Sequence, residues 1–507
     1  MMEAFDGLLL GIGALLDVRV IAYCLLGVTV GTFIGVLPGI GSLAAVSMLL
    51  PISFYLDPMT AIILLGGVYY GAEYGGSTAA ILLNLPGTPS SAVTCLDGYP
   101  MSQQGRAGVA LFITTIASFF GCMFGILALI AFGPALGKLA MSFGPAEYLS
   151  LITLGLIAAS TIVEGNPVKS LIMVFAGLLL GSVGIDPTSG TQRFTFGSIH
   201  LFDGINIVVV AMGLFGVSEL ILAFRSAHVR PTFVSFRSML PSRDDIVTSV
   251  LPILRGSLVG GFFGALPGVG QTTASFVSYA VEKRVSRSPE RFGKGAIEGV
   301  ASPEAANNAA VQCAFIPTLT LGVPGSATMA LMMGALLIHG VTPGPNLLNE
   351  NAPIFWGVVA SFFLGNLFLL ILNIPLINLW VRILAIPYHF LYPLVLFFVC
   401  IGVYSVEFSS FDVLMLVVFG LLGLYGKIHG YEPAPLILGF VLGPMMEENF
   451  RRAMMLARGD FSYILYRPLS AAMLLLSLFL IGFTIVRAIR NGGREHLQIS
   501  RSESSTN

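Results

Sequence analysis

The sequence predicts an all-α polytopic membrane protein made of two inverted-topology repeats with re-entrant helical hairpins, about 10–14 membrane segments in all. Three observations predict it. The 507 residues are 55% hydrophobic and only 10% charged, with mean hydropathy +0.89, whereas soluble domains carry about 25% charged residues. Gly31-Thr-Phe-Ile-Gly35-Val-Leu-Pro38-Gly39-Ile-Gly41 returns 229 residues later as Gly260-Gly-Phe-Phe-Gly264-Ala-Leu-Pro267-Gly268-Val-Gly270, identical at seven of eleven positions. Basic residues then cluster on both sides of the second copy. A Leu-Pro-Gly-x-Gly turn breaks a helix twice over, by a lost donor and by glycine entropy. In hydrocarbon such a break survives only inside protein or along a watery cavity. Matched breaks in two repeats point to a binding site at the repeat interface.

Apolar stretches of spanning length fall near residues 20–37, 58–85, 107–132, 147–163, 168–184 and 205–224 in the first half. The second half shows 246–266, 305–323, 327–341, 355–380, 390–406, 411–426 and 434–446, and a last span covers 469–488. The repeat extends beyond its opening motif. Leu85-Pro86-Gly87-Thr88 matches Val323-Pro324-Gly325-Ser326, and Glu73 with Ser77-Thr78 loosely matches Glu304 with Asn307-Asn308. Val174 to Gly181 resembles Val418 to Gly423, each followed by an acidic-Pro pair, Asp186-Pro187 and Glu432-Pro433. The expected organisation is a first repeat over 1–225, a basic linker 226–245 and a second repeat 246–465. An extra C-terminal helix over 466–490 and a disordered polar tail, 491–507, complete it. The N-terminus shows no basic region followed by a cleavage site, so its apolar stretch reads as retained.

Charge gives the orientation. Arg225, Arg230, Arg237 and Arg243 lie in the linker; Lys283, Arg284, Arg287, Arg291 and Lys294 lie in the loop that follows. The positive-inside rule places both in the cytoplasm. Segment 246–281 must then enter and return, with Pro267-Gly268 at a re-entrant tip. The matching connection in the first repeat, Ser53 to Pro58, has no basic residue and reads as external, which makes the repeats inverted. One feature conflicts: Arg451, Arg452, Arg458 and Arg467 precede the last span while Arg487, Arg490 and Arg494 follow it.

The two turns are the leading site candidates. Unwound carbonyls at Pro38–Gly41 and Pro267–Gly270 are of the kind that coordinate Na⁺, and half-helix N-termini can face a carboxylate. Ser42, Gln271, Thr272 and Thr273 follow the turns and can cap helices or donate to an anion. The competing reading is a kink with Gly-x-x-x-Gly close packing. Thr88 and Ser326 mark a second tip in each repeat. Ser77, Thr78, Asn307 and Asn308 are polar groups in apolar surroundings, read as functional or as interhelical hydrogen bonds. Glu73 and Glu304 fit either proton relay, cation pairing or an interfacial helix cap. No Arg or Lys falls within the motifs, so a bound anion needs helix ends, hydroxyls, amides and co-bound cations, because unpaired buried charge costs several kcal/mol.

Other chemistry finds little support. The six histidines show no ligand spacing, and the five cysteines form no C-x-x-C pair. No H-E-x-x-H, G-x-S-x-G or P-loop occurs, against an enzyme and against ATP-driven transport. A near-zero net charge argues against nucleic acid. No cofactor and no fixed metal site are expected beyond a coupling Na⁺ or H⁺.

The paired Gly-x-x-x-Gly-x-Leu-Pro-Gly-x-Gly motifs, Tyr70-Gly-Ala-Glu-Tyr-Gly-Gly-Ser-Thr78, Ala301-Ser-Pro-Glu-Ala-Ala-Asn-Asn308, Gly322-Val-Pro-Gly-Ser326 and Gly443-Pro-Met-Met-Glu-Glu-Asn449 together resemble one family. It is the large membrane subunit of bacterial tripartite tricarboxylate transporters, and the likeness covers nearly the whole chain. The resemblance implies a multi-pass protein of the bacterial inner membrane, a Na⁺-coupled importer with an elevator-like motion. It implies two partners, a small membrane subunit of about four spans and a periplasmic solute-binding protein that delivers an organic acid. It places substrate or ion contacts on Gly39, Gly41, Ser42, Thr88, Gly268, Gly270, Gln271, Thr272, Asn307, Asn308 and Ser326. A passive channel or lipid scramblase on the same scaffold is the alternative; its activity would not follow a Na⁺ or H⁺ gradient.

Overall fold

The computed structural model describes residues 2–162, 166–186, 188–223, 236–384 and 388–484. Pro187, the linker residues Arg225 and Arg230, Arg487, Arg490 and the tail 491–507 lie outside the described residues. The first half contains α1 (Met2–Ala14), α2 (Val18–Val36), α3 (Gly41–Ser53), α4 (Pro58–Leu83), α5 (Ala92–Met101), α6 (Ala107–Ala140), α7 (Pro145–Ile162) and α8 (Pro167–Gly181). A two-stranded antiparallel ribbon follows, β1 (Gly184–Ile185) against β2 (Gln192–Arg193), with Gly184 opposite Arg193. Then come α9 (Ile207–Ala211) and α10 (Ser218–Ala223), joined through a π-helical turn, Met212–Val217. The second half contains α11 (Arg243–Gly264), α12 (Gly270–Val285), α13 (Glu298–Cys313), α14 (Phe315–Leu321), α15 (Ala327–Ile338), α16 (Pro345–Glu350) and α17 (Ala352–Asn373). It closes with α18 (Ile377–Leu384), α19 (Tyr388–Glu407), α20 (Ser410–Ile428), α21 (Ala434–Leu456) and α22 (Ser462–Tyr466), and a further apolar helix covers Pro468–Thr484.

Five helical stretches among the described residues are long and apolar enough to cross a membrane, in Val18–Val36, Pro89–Ala140, Arg243–Gly264, Ala352–Asn373 and Ser410–Ile428. The protein is a multi-pass membrane protein. Shorter apolar helices, among them α3, α8 and α15, complete the bundle. The centre belongs to α4 and α13, buried over 24 of 26 and 15 of 16 residues. Their polar side chains therefore face protein on every side.

Both halves build the same unit. α2 and α3 form a hairpin with its tip at Leu37–Ile40, and α11 and α12 form one with its tip at Ala265–Val269. Gly27, Gly31 and Gly35 of α2 rest on the backbone of Leu64, Val68 and Ala72 in the parallel helix α4. Gly256, Gly260 and Gly264 of α11 rest in the same way on Ser302, Ala306 and Ala310 of α13. Close glycine packing therefore holds the shafts of the hairpins, while the tip glycines have another role. A second pair of turns follows α4 and α14, where Asn84 (φ 58°) and Gly322 (φ 67°) end the helices in left-handed conformation.

These contacts fix the repeat register and correct one sequence match. Leu64, Val68 and Ala72 correspond to Ser302, Ala306 and Ala310, a spacing of 238 that also relates Asn84 to Gly322 and Thr88 to Ser326. Glu304 then corresponds to Gly66 and Glu73 to Val311. The two acids are seven residues out of register, about two helical turns. The likeness was carried by composition, since both segments are Gly- and Ala-rich. Both acids sit inside helices and are buried, which removes the interfacial-cap reading. The acidic-Pro match also separates in space: Asp186 pairs with Arg451, whereas Glu432 lines a different region, described below.

The later helices cross between halves. Gly177 and Gly181 of α8 lie on Leu436 and Phe440 of α21, and Gly420 and Gly423 of α20 lie against Val217 and Leu214. The repeat boundary is thus not a boundary between separate bodies. The conflicting arginines also find a place. α6 packs against Ser238 at Gly108 and against Leu348 at Gly137, and its 34 residues span about 51 Å. Ala146, just past that far end, packs with Ala453 and Ile464, and Ser150 Oγ bonds Ser470 Oγ at 2.6 Å. Arg451 to Arg467 therefore lie on the face opposite the 238–243 segment. Three of them are paired there, Arg451 with Asp186 and Glu447, Arg452 with Glu448, and Arg467 with Glu147.

Candidate functional site

The four turns converge. Within the first half, the Gly39 N–H donates to Pro86 O at 3.2 Å and the Gly41 N–H to Gly87 O at 3.1 Å. Within the second, the Gly268 N–H donates to Gly325 O at 3.1 Å. Gly39, Gly41, Gly268 and Gly270 have φ of 83°, 76°, 79° and 71°, a region L side chains rarely adopt. Proline ends the incoming helix and two left-handed glycines reverse the chain onto the neighbouring turn. The repeated motif is the sequence form of this corner.

All four turns line one cavity of about 440 Å³. Gly39, Gly41, Ser42 and Thr88 come from the first half; Gly268, Gly270, Gln271, Thr272 and Ser326 come from the second. α3 and α12 both begin at this cavity, and neither Ile40 nor Val269 offers a side-chain cap. Two helix N-termini therefore present uncapped first turns to the space, each carrying roughly half a positive charge. Ser326 by contrast caps α15, its Oγ accepting the Met329 N–H at 3.2 Å. Hydroxyls of Ser42, Thr272 and Thr273 stand beside these N-termini. The arrangement can hold an anion by oriented donors.

Charge enters from helices outside the motifs. Lys427 at the end of α20 and Glu219 of α10 form an ion pair in the cavity wall, and Glu432 lies beside them. The Lys427 side chain is 13% exposed, so its charge is only weakly screened. The four remaining candidates stand behind the cavity rather than in its wall. Ser77 and Thr78 are buried in α4, and the Ser77 Oγ has no partner. Asn308 donates to Ser118 Oγ at 2.8 Å and to Glu304 O at 3.0 Å, an interhelical role. Asn307 is buried with both amide atoms unpartnered.

Glu73 links the wall to the interior. Its Oε1 accepts from Gln271 Nε2 at 3.2 Å and its Oε2 from Thr88 Oγ1 at 3.1 Å, with Ser90 Oγ donating as well. Tyr69 donates to Gln271 Oε1 at 3.0 Å, which fixes the amide orientation. One buried carboxylate thus ties a turn of the first half to a turn of the second.

The model of the tripartite tricarboxylate transporter TctA family matches residues 21–438. The chain belongs to this family. Membership makes it a transporter chain and agrees with the lack of an enzyme motif. It is 48% identical over 493 residues, 97% of this chain and 98% of the relative, to an uncharacterized 52.8 kDa protein in the TAR-I ttuC′ 3′ region of Agrobacterium vitis. It is 50% identical over 232 residues, 46% of this chain and 96% of the relative, to an uncharacterized protein in the TAR-II ttuC′ 3′ region of the same organism. No solved structure matches.

Sequence reasoning about this TctA-family chain missed Lys427, Ser90 and Tyr69, and read Glu432 only as half of an acidic-Pro match. A signal existed for the lysine, which closes a 19-residue apolar helix, where a charged residue is a functional candidate by default. Its distance in sequence from every repeated motif hid the connection.

Proposed function

We propose that this chain is the large transmembrane subunit of a secondary, cation-coupled tripartite importer for a tricarboxylate or related organic acid. The carrying observation is the cavity itself. Four turns from two repeated segments enclose it, and two uncapped helix N-termini and the hydroxyls beside them supply donors and positive potential without a dedicated arginine, while Lys427 is paired with Glu219 in the wall. Such a site suits a carboxylate, and its volume falls within the range of small-molecule pockets, about 300–1,000 Å³.

The repeat arrangement favours inverted topology, with the hairpin tips as re-entrant elements that move together past the rest of the bundle. Its support is the shared packing register of α2 on α4 and of α11 on α13. Na⁺ is the expected coupling ion. Family membership supplies the expected partners, a small membrane subunit of about four spans and a periplasmic binding protein, and the expected place, the bacterial inner membrane. The test is reconstitution of the chain with both partners in vesicles, measuring uptake of radiolabelled di- and tricarboxylates with and without a Na⁺ gradient. Accumulation against a concentration gradient that collapses with the cation gradient is the expected result. Equilibration alone, indifferent to any ion gradient, would replace the importer with a passive channel.

A further inference from the structure

The two halves meet at the cavity through equivalent turns, yet their donors are not equally free. A spacing of 229 relates Gly41 to Gly270, Leu43 to Thr272 and Ala44 to Thr273, and the spacing of 238 relates Pro89 to Ala327 and Ser90 to Thr328. All of these but Ser90 line the cavity. In the first half the donors are committed. The Gly41 N–H bonds Gly87 O at 3.1 Å, and Pro89 has no N–H to offer. Thr88 and Ser90 turn their hydroxyls inward to Glu73, and Leu43 and Ala44 bring no polar side chain. That leaves Ser42, 3% exposed, as the free hydroxyl of this side among the described residues.

In the second half Val311 stands where the first has Glu73, so no acid draws the turn's hydroxyls away from the cavity. Ser326 caps α15, and Thr328, 3% exposed in the cavity wall, has a hydroxyl that makes no hydrogen bond among the described residues. The N–H groups of Ala327 and Thr328 open a 12-residue helix and are unbonded there as well. So is the Gly270 N–H, unlike that of Gly41. Thr272 and Thr273 of α12 add two more hydroxyls. A Cβ on Gly270 would stand 3.8 Å from Ser326 Cβ, so the starts of α12 and α15 adjoin. On Gly41 it would instead meet the Pro89 ring, Cδ at 3.7 Å, where a three-residue 3₁₀ turn replaces the start of α15. Two positive helix ends and three hydroxyls therefore converge on one side of the cavity only.

We propose that the cavity is asymmetric: its carboxylate subsite lies on the second-half side, between the N-termini of α12 and α15, and Thr328 is a binding residue that sets the preference for a carboxylate over an uncharged amide. The donors offered there are the N–H groups of Gly270, Ala327 and Thr328 and the hydroxyls of Thr272, Thr273 and Thr328. The first-half side, its donors held by Gly87 and Glu73, faces the remainder of the cargo. This rests on the importer reading for the class of cargo and deepens it by saying which repeat binds the charge.

Equilibrium binding of radiolabelled di- and tricarboxylates to the purified full-length chain tests this, the best-bound acid being compared with its monoamide. Thr328→Val keeps the side-chain shape and removes the hydroxyl. It should raise the Kd of the acid at least about tenfold, the worth of one hydrogen bond to a charged group, and narrow the acid-over-amide ratio. Thr328→Ser should restore both. Ala327→Pro is an independent variant that removes one N–H and copies the first half. The backbone suits it, because Ser326 (φ −156°, ψ 170°) is extended as Thr88 is before Pro89 (φ −125°, ψ 156°). It too should raise Kd at least about tenfold, and Ser42→Ala should raise it less than either. An unchanged Kd in Thr328→Val or Ala327→Pro, no recovery in Thr328→Ser, or a larger loss in Ser42→Ala would overturn the asymmetry. Failure of the unsubstituted chain to bind any of these acids would overturn the subsite itself. Binding with this pattern in a complex that accumulates no acid under any ion gradient would refute the importer reading and leave the subsite standing.

Discussion

Gly35→Ala tests whether close packing of the hairpin shaft sets the cavity wall. A Cβ at Gly35 would lie 2.1 Å from Ala72 O and 2.6 Å from Ala72 Cα, where ordinary contact begins at 3.4 Å. The backbone of α4 cannot yield as a side chain tip can, so α2 and α4 must part by at least about 1.3 Å. The turn beyond Gly35 is tied down by two bonds of 3.2 and 3.1 Å, Gly39 to Pro86 and Gly41 to Gly87, already near the usual upper limit of about 3.2 Å. Overpacking costs about 1–3 kcal/mol, and each lost hydrogen bond adds about 0.5–1.5 kcal/mol, a total of about 2–6 kcal/mol. Thermal unfolding of the purified chain should fall accordingly, and uptake should be lost. Gly264→Ala, whose Cβ would lie 2.4 Å from Ala310 Cα, should behave alike. Gly13→Ala, with nothing within 4 Å, is the control. Gly35→Ala matching that control in Tm and uptake would refute the reasoning.

Four further outcomes are expected. Ser42→Ala with Thr272→Ala should raise the uptake KM at least about tenfold, since each hydrogen bond to a charged group is worth about 1.5–3 kcal/mol, while membrane insertion and Tm stay normal; an unchanged KM removes these hydroxyls from the site. Pro267→Ala restores a backbone donor and lets α11 continue, so transport should be lost and a cysteine at Thr273 should become less reactive to a water-soluble thiol reagent; unchanged labelling would count against the corner. Lys427→Gln should weaken carboxylate uptake and, by stranding Glu219, lower Tm, and adding Glu219→Gln should restore Tm but not affinity; recovery of both would make the lysine structural. Thr188 N–H, the Ser189 hydroxyl and Arg451 hold Asp186 well below the usual carboxylate range, so its folded-state stabilisation is present at neutral pH and is lost progressively as pH falls below the ordinary Asp value near about 3.9. Arg451→Gln should therefore flatten the acid limb of a Tm-against-pH profile; an identical limb would show that the cluster does not couple to folding.

Legibility followed the local strength of the backbone signal. The corners could be read because proline and glycine impose conformation where they stand: Pro38 and Pro267 stop a helix, and the glycines beside them take positive φ. Helix spans were readable from apolar runs, so α4 begins at Pro58 with Asp57 accepting the Thr60 N–H at 3.1 Å. The pairing of Glu73 with Glu304 was misread because the register of α4 and α13 is set by which glycine touches which carbonyl, information held in the partner helix. Lys427 and Glu219 were illegible as a pair because α20 meets α10 only through the crossing of the two halves. Nothing local in either helix announces that exchange.

The same crossing bears on how the cavity can change. α8 lies on α21 and α20 lies on α9 and α10, so the last helices of each half are packed on the other half. The cavity wall is made partly from this crossed set, through Phe215, Glu219, Lys427 and Leu438, and partly from the four turns. Within each half the turns are stitched to one another by backbone hydrogen bonds, and Glu73 joins the two halves through Thr88 and Gln271. A motion that kept these bonds would carry all four turns as one body. The Lys427–Glu219 side of the cavity would then be the surface left behind. Crosslinks between the two sets of helices should therefore arrest transport, whereas a crosslink between the Gly39 and Gly87 turns should be tolerated.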